Sequence, residues 1–278
     1  MIIFELIRIL ARKQPSFMKF SKFFDRNHLV LKLDKDISDK RDIKLLSAIQ
    51  ETKPSGQSIT ISFPEKFDLK AYCTPIKNQL NIGSCTAFSI LGAYEIFRKR
   101  DFKENVDTSE LFTYYNARLY QGWENDDRGA YLRDACKSAL NDGICLEEVY
   151  PYIISKYRDK PYMLAYISAR FLRLKGFYRC STIDEIKQAL IHGWVVVFGM
   201  RVYSNYLYYR GGVYKSIQGS LKGGHAQAII GWDDKKNAFL VRNSWSTSWG
   251  EDGYAWIDYD LLKQNLQDAW ALEFRRPK

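Results

Sequence analysis

Gln79-Leu80-Asn81-Ile82-Gly83-Ser84-Cys85-Thr86-Ala87-Phe88 sets a glutamine six residues before a cysteine and carries that cysteine, through a Gly-Ser pair, into a run with helical spacing. Ala87, Phe88, Ile90, Leu91, Ala93, Tyr94 and Phe97 recur three and four residues apart, the pattern of an apolar helix face. The spacing predicts a helix that opens at Cys85. A cysteine at the positive end of a helix leans toward the thiolate, the form that attacks carbonyl carbon. The gap to Gln79 lets the chain fold back and set that side-chain amide beside the Cys85 backbone N–H, two donors for a developing oxyanion. A lone cysteine is ordinarily an inert core residue, so the reading depends on a base and an orienting group elsewhere in the chain.

The chain has 3 histidines. His28 lies in a charged N-terminal region. His192 closes a helix-like segment, 183–190, ahead of the strand-like run 195–198, and reads as a helix-end residue. His225 follows Gly223-Gly224 and opens Ala226-Gln227-Ala228-Ile229-Ile230-Gly231-Trp232. Glycines there let the backbone come close to a ligand, and a strand start holds the imidazole on a rigid element. Downstream, Val241-Arg242-Asn243-Ser244-Trp245 supplies an amide. Asn243 can accept a hydrogen bond from the His225 ring and set its tautomer, with Trp245 placed to cover that bond.

In this order, Gln79…Cys85, Gly224-His225 and Asn243-Ser244-Trp245 resemble the catalytic-site segments of papain-like cysteine proteases, over roughly residues 63 to 278. Phe63-Pro64-Glu65-Lys66-Phe67-Asp68-Leu69 resembles the family's mature start, and Asn141-Asp142-Gly143-Ile144-Cys145 with Glu147 to Tyr152 resembles the segment that closes its helical lobe. The resemblance implies an α+β, papain-like two-lobe fold. A mainly helical lobe would span about 63–175, and a mainly antiparallel, barrel-like lobe about 176–278, with the cleft between them. It implies a cysteine endopeptidase with Cys85 as nucleophile, His225 as base, Asn243 as orienter, Gln79 as oxyanion donor and Trp245 in support. Gly129 is the implied backbone partner of a substrate strand, with Ala130 and Gly224 beside it. A peptide or protein is the expected substrate, and no cofactor or metal is required. Ile82 stands where secreted members carry a disulfide cysteine, and Thr86 where they carry tryptophan, departures that resemble bacterial or large-virus members. No His-His insertion of the cathepsin-B exopeptidase kind is present. A catalytically silent peptide-binding domain, and an acyltransferase or deamidase using the same thioester chemistry, are the alternative readings.

Independently of the resemblance, helix signals come first and strand signals second, which reads as two layers of different class. Helices are expected from Cys85 to about Arg100, at 109–120 with Thr108-Ser109 as cap, and after Gly129. Strands are expected at 194–200, 226–232, 238–242 and 253–257. Residues 155–173, basic and aromatic, read as a solvated connecting insertion.

The 278 residues carry 42 Lys and Arg against 32 Asp and Glu, a net charge of +10. Half of that excess falls in residues 1–62, with 12 basic against 7 acidic. The positives are scattered and form no recognition helix or finger, so no nucleic-acid partner is expected. Five cysteines occur without a CxxC, and no HExxH is present, which argues against a metal site; the disulfide state of Cys73, Cys136, Cys145 and Cys180 stays open. Ile3, Leu6, Ile7 and Leu10 give the N-terminus an amphipathic face. That stretch is too short for a membrane span and lacks the marks of a signal peptide. Intracellular, vacuolar and virion settings all remain open. A second short helix is expected at 43–49 and a Pro/Gly linker at 52–58. Residues 1–62 then read as an N-terminal arm. It is either a propeptide that lies over the cleft, the chain's own inhibitor, or a permanent arm for packing or partner binding. A monomer is expected.

Overall fold

The computed structural model describes residues 25, 26, 29–37, 39, 42–51 and 62–276. The amphipathic N-terminal stretch, His28 and the 52–58 linker lie outside the described residues.

The organising helix is α2, Cys85–Phe102, preceded in the arm by the short α1, Leu45–Glu51. From Cys85 to Arg98 every residue of α2 is buried. The sequence predicts one apolar face. The structure surrounds the helix instead, because α3 (Glu110–Leu119), α4 (Leu132–Asn141) and the sheet enclose it. α3 begins where the Ser109 hydroxyl accepts the Phe112 N–H at 3.2 Å, satisfying one of the helix's unpaired donors.

Strands β1 (Lys66–Asp68), β2 (Leu174–Arg179), β3 (Val195–Tyr203), β4 (Val213–Tyr214), β5 (Leu221–Asp233), β6 (Ala238–Arg242), β7 (Tyr254–Asp258) and β8 (Leu266–Phe274) form one sheet. Its order is β2-β8-β3-β5-β6-β7-β4, with β1 attached to β5. All pairings are antiparallel except β4 with β7. The 13-residue β5 pairs with β3 along its first part and with β6 and β1 along its last. One strand serving three partners coils the sheet toward a barrel. The helical-then-β order of the two lobes is as the sequence reading expects.

Several local expectations are corrected. His225 is the fifth residue of β5, not its first, since the polar Leu221-Lys222-Gly223-Gly224 lead already pairs with β3. Residues 155–173 are not merely a solvated insertion: they hold a 3-10 turn, Ile154–Lys156, and α5, Met163–Ala169, whose Ala165, Ser168 and Ala169 are buried. The helix after Gly129 opens at Leu132. β2, β8 and the helix α7, Tyr259–Asn265, were not anticipated. His192 caps the C-terminus of α6, Ile183–Ile191, and packs edge-on to Trp194 at 4.4 Å. All five cysteines are free and buried. Among the described residues, no helix is long and apolar enough to cross a membrane.

Candidate active site

Cys85 is the first residue of α2, and its turn is fixed from three sides. Gly83 N–H donates to Asp127 Oδ1 at 2.9 Å. The Ser84 hydroxyl pairs with the Tyr152 phenol at 2.7 Å, and the same phenol donates to the Gln79 carbonyl at 2.8 Å. Gln79 is fully buried. Its Oε1 accepts from Ser244 Oγ at 2.8 Å and its Nε2 donates to the Ile82 carbonyl at 3.2 Å, which leaves the second amide proton to point elsewhere.

A short antiparallel junction draws the distant motifs together. Gln79 N–H donates to the Ser244 carbonyl at 2.9 Å, and Ser246 N–H to the Lys77 carbonyl at 3.1 Å. Residues 77–79 and 244–246 are thereby held side by side although they come from opposite halves of the chain.

His225 Nε2 lies 2.8 Å from Asn243 Oδ1, which also accepts the Ser244 N–H at 2.8 Å. An amide oxygen only accepts, so this contact assigns the ring proton to Nε2 and leaves Nδ1 as the basic nitrogen. Nδ1 is buried and has no hydrogen-bond partner among the described residues. Trp245 stacks on the imidazole at 4.3 Å with rings 22° apart. Trp249 and Tyr206 then pack edge-on against Trp245 at 5.1 and 5.9 Å. The expected cover is thus a three-ring wall.

The Cys85 sulfur takes backbone hydrogen bonds from Ala226, the neighbour of His225, and from the first N–H groups of α2. Those donors pull its pKa down, as the helix-terminus argument expects, but burial acts more strongly and pushes it up to about 11. Burial also lowers His225 to about 4, against the opposing pull of Asn243. Burial therefore disfavours the charged thiolate–imidazolium pair in this state, against the pull of the helix terminus.

The chain's own arm runs past the glycines next to this site. Leu33 N–H donates to the Gly224 carbonyl at 3.2 Å. Leu33 is 2 % exposed and its side chain lies over Gly199. The Lys32 carbonyl sits so close over Gly129 (φ 79°) that a Cβ there would overlap it, and the Leu33 carbonyl lies equally close to Gly224. Both glycines are therefore required by a close backbone approach as well as, at Gly129, by conformation. Lys32 also pairs with Asp127 at 3.2 Å. Gly129 and Gly224 lie along the arm and Ala130 is buried beside Gly129, so the residues expected to bind substrate border a strand of this same chain.

Asp127 and Tyr152 escaped the sequence reading. Asp127 accepts from Gly83, from the Tyr114 phenol and from Lys32. The only sequence signal was its place in an acidic, Gly-bounded loop. Among the described residues, no group of three His, Cys, Asp or Glu side chains could hold a metal ion.

The profile of the papain family cysteine proteases matches residues 63–268. An uncharacterized peptidase C1-like protein of Acanthamoeba polyphaga mimivirus is 30% identical over 253 residues, covering 84% of this chain and 81% of its own. Xylellain, a cysteine protease from Xylella fastidiosa, superimposes with a TM-score of 0.75 at 29% identity, over 95% of this chain and 100% of its own. The ragweed pollen cysteine protease Amb a 11, in its proform, shares the fold at 22% identity, with a TM-score of 0.65 over 85% of this chain and 76% of its own. With its two-lobe α+β architecture and its bacterial and large-virus relatives, this chain belongs to the papain family of cysteine proteases.

Proposed function

We propose that the chain is a cysteine endopeptidase in which Cys85 and His225 form the reacting pair, Asn243 orients the imidazole, and residues 25–51 belong to an inhibitory propeptide. The observation that carries the reading is the imidazole itself. It is protonated on the side of Asn243, roofed by Trp245, and left with a basic nitrogen that has no partner among the described residues, at a site that also buries a helix-opening cysteine.

With the arm gone, water re-enters and the penalty on charge falls. The Cys85 thiol proton then passes to His225 Nδ1, giving a thiolate and an imidazolium. The sulfur bonds to the peptide carbonyl carbon, and the carbonyl electron pair moves onto oxygen. Gln79 Nε2 and the Cys85 N–H are the donors for that oxyanion; losing one typically costs about a hundredfold or more in rate. As the carbonyl re-forms, the C–N bond breaks and the amine leaves with the proton from His225. Water, deprotonated by His225, then hydrolyses the thioester and restores Cys85.

The arm's place in the cleft supports a zymogen, as does the likeness to a protease in its proform. The test is cleavage of unfolded protein and of peptides under reducing conditions, with Cys85→Ala as control, followed by identification of the products. New amine and carboxyl termini inside the substrate, lost in the variant, are expected. Transfer to an added amine or side-chain deamidation without backbone cleavage would overturn the endopeptidase reading.

A further inference from the structure

Beyond Leu33 the arm reaches a second anchor. Asp36 and Asp268 are 5 % and 3 % exposed, the one on the arm and the other on β8. Asp268 Oδ2 accepts the Asp36 N–H at 3.2 Å, and Asp36 Oδ2 accepts the Arg133 N–H at 3.0 Å. The two carboxyls interact as one pair. The other Asp268 oxygen, Oδ1, is buried with no hydrogen-bond partner among the described residues and borders Gly199, where Leu33 packs.

The charged groups packed round the pair do not neutralise it fully. From α4, the Arg133 guanidinium donates to the Ile37 carbonyl and to Asp42 Oδ2, each at 2.7 Å. From β2, Arg179 Nε also goes to Asp42 Oδ2, at 3.1 Å. Both guanidinium groups lie over Trp270, at 5.4 and 4.5 Å. Each favours the ionised pair to some extent, Arg133 acting on Asp36 and Arg179 on Asp268, but their ion pairs are made with Asp42. Asp134, on α4 and bound to Lys137 at 2.8 Å, adds further negative charge beside Asp36. Among the described residues no cation is dedicated to the pair, and two carboxylates so buried cannot both stay ionised.

We propose that this pair is a proton-gated latch: Asp36 and Asp268 share one proton while the arm is docked, so docking takes up a proton and the arm releases as the medium becomes more alkaline. The proposal rests on the reading of the arm as the cover of the cleft. Burial raises both groups, and Asp268, with Asp36 next to it, reaches about 8. With the arm away Asp268 faces water, and each titrates as an ordinary aspartate, near about 4. Docking strength is then full below about 4. It falls about tenfold per pH unit as pH rises toward the docked value, since only the docked state still holds the proton across that window.

The test is hydrogen exchange on the full chain, read as protection relative to the intrinsic rate for residues 29–37, from pH 5 to pH 8. The chain carries Cys85→Ala to prevent self-cleavage, and the buried amides of β5 serve as the folding control. The latch predicts that arm protection falls by about tenfold per pH unit while β5 stays protected. In Asp36→Asn, an amide replaces the shared proton as donor, and the slope flattens to near zero. Asp268→Asn gives the same result from the other side. A protected arm whose protection does not change with pH, or an Asp36→Asn chain that keeps the full slope, overturns the latch and leaves the cover intact. An arm unprotected even at pH 5 overturns the cover and the latch together.

Discussion

Asn243 uses one oxygen twice, for the His225 ring and for its neighbour's N–H. Replacing it with alanine leaves Nε2–H buried without an acceptor beneath Trp245, a loss of about 1–3 kcal/mol. In Asn243→Ala, kcat/KM on a peptide substrate is expected to fall about 10- to 100-fold, while the fold is kept. An unchanged value would show that the ring is oriented by Trp245 alone. Cys85, His225, Asn243 and Gln79 can be nominated from sequence because each carries its chemistry in its side chain and stands in a short local pattern. Asp127 and Tyr152 cannot. Their contribution is made across 44 and 68 residues of chain, and an acidic loop residue or a tyrosine beside a proline looks the same whether or not it braces a nucleophile.

Among the elements, the arm is the one whose proposed role as a cover its own sequence does not state. Leu33 is its apolar anchor, packed against Gly199, and truncation of a buried leucine costs about 2–5 kcal/mol. Leu33→Ala in the full chain is expected to speed the reaction of Cys85 with a thiol reagent by at least about 30-fold at fixed pH; no change would mean that this segment does not control access. Helices α2, α3 and α6 were readable from period and caps, and α6 carries a full capping box between Thr182 and Glu185. β8 was missed because residues 268–272 are buried on both faces. The alternation that marks a half-exposed strand is then lost, and Asp268 interrupts the apolar run. α5 was missed because its seven residues expose Met163 and Ile167, so it shows no clean apolar face.

At the scale of the whole molecule, the lobes meet over buried charge. Lys77 contacts Glu95, Asp107 and Glu110 at 2.6–2.8 Å, and Arg242 donates to the Thr74 and Pro75 carbonyls. Burial pushes Glu110 up to about 7 and Glu147 up to about 9, and the remaining oxygen of each has no hydrogen-bond partner among the described residues. A carboxyl raised on folding contributes fully below its ordinary value, and that contribution is lost as pH rises to the folded value. For Glu147 the window runs from the ordinary carboxyl value of 4.5 to about 9. Glu147→Gln keeps the acceptor for the Tyr152 N–H and removes the titration. Urea unfolding is expected to show little change at pH 5 and a gain of at least about 1 kcal/mol at pH 9. A variant that loses as much stability as the parent between those values would contradict this. The two-lobe order was legible because helix and strand periods occupy different halves of the chain. The buried charge between the lobes was not, since lysines and glutamates are ordinarily surface residues.

Cys85 as the nucleophile, covered by the chain's own arm, is tested by labelling with an epoxide thiol probe, located by mass spectrometry, on the full chain and on a chain starting at Phe63, with Cys85→Ala as control. Modification at Cys85 is expected in the shortened chain, markedly slower modification in the full chain at pH 5, and none in the variant. Equal rates in both chains would contradict the cover. No labelling of either folded chain would contradict the nucleophile itself.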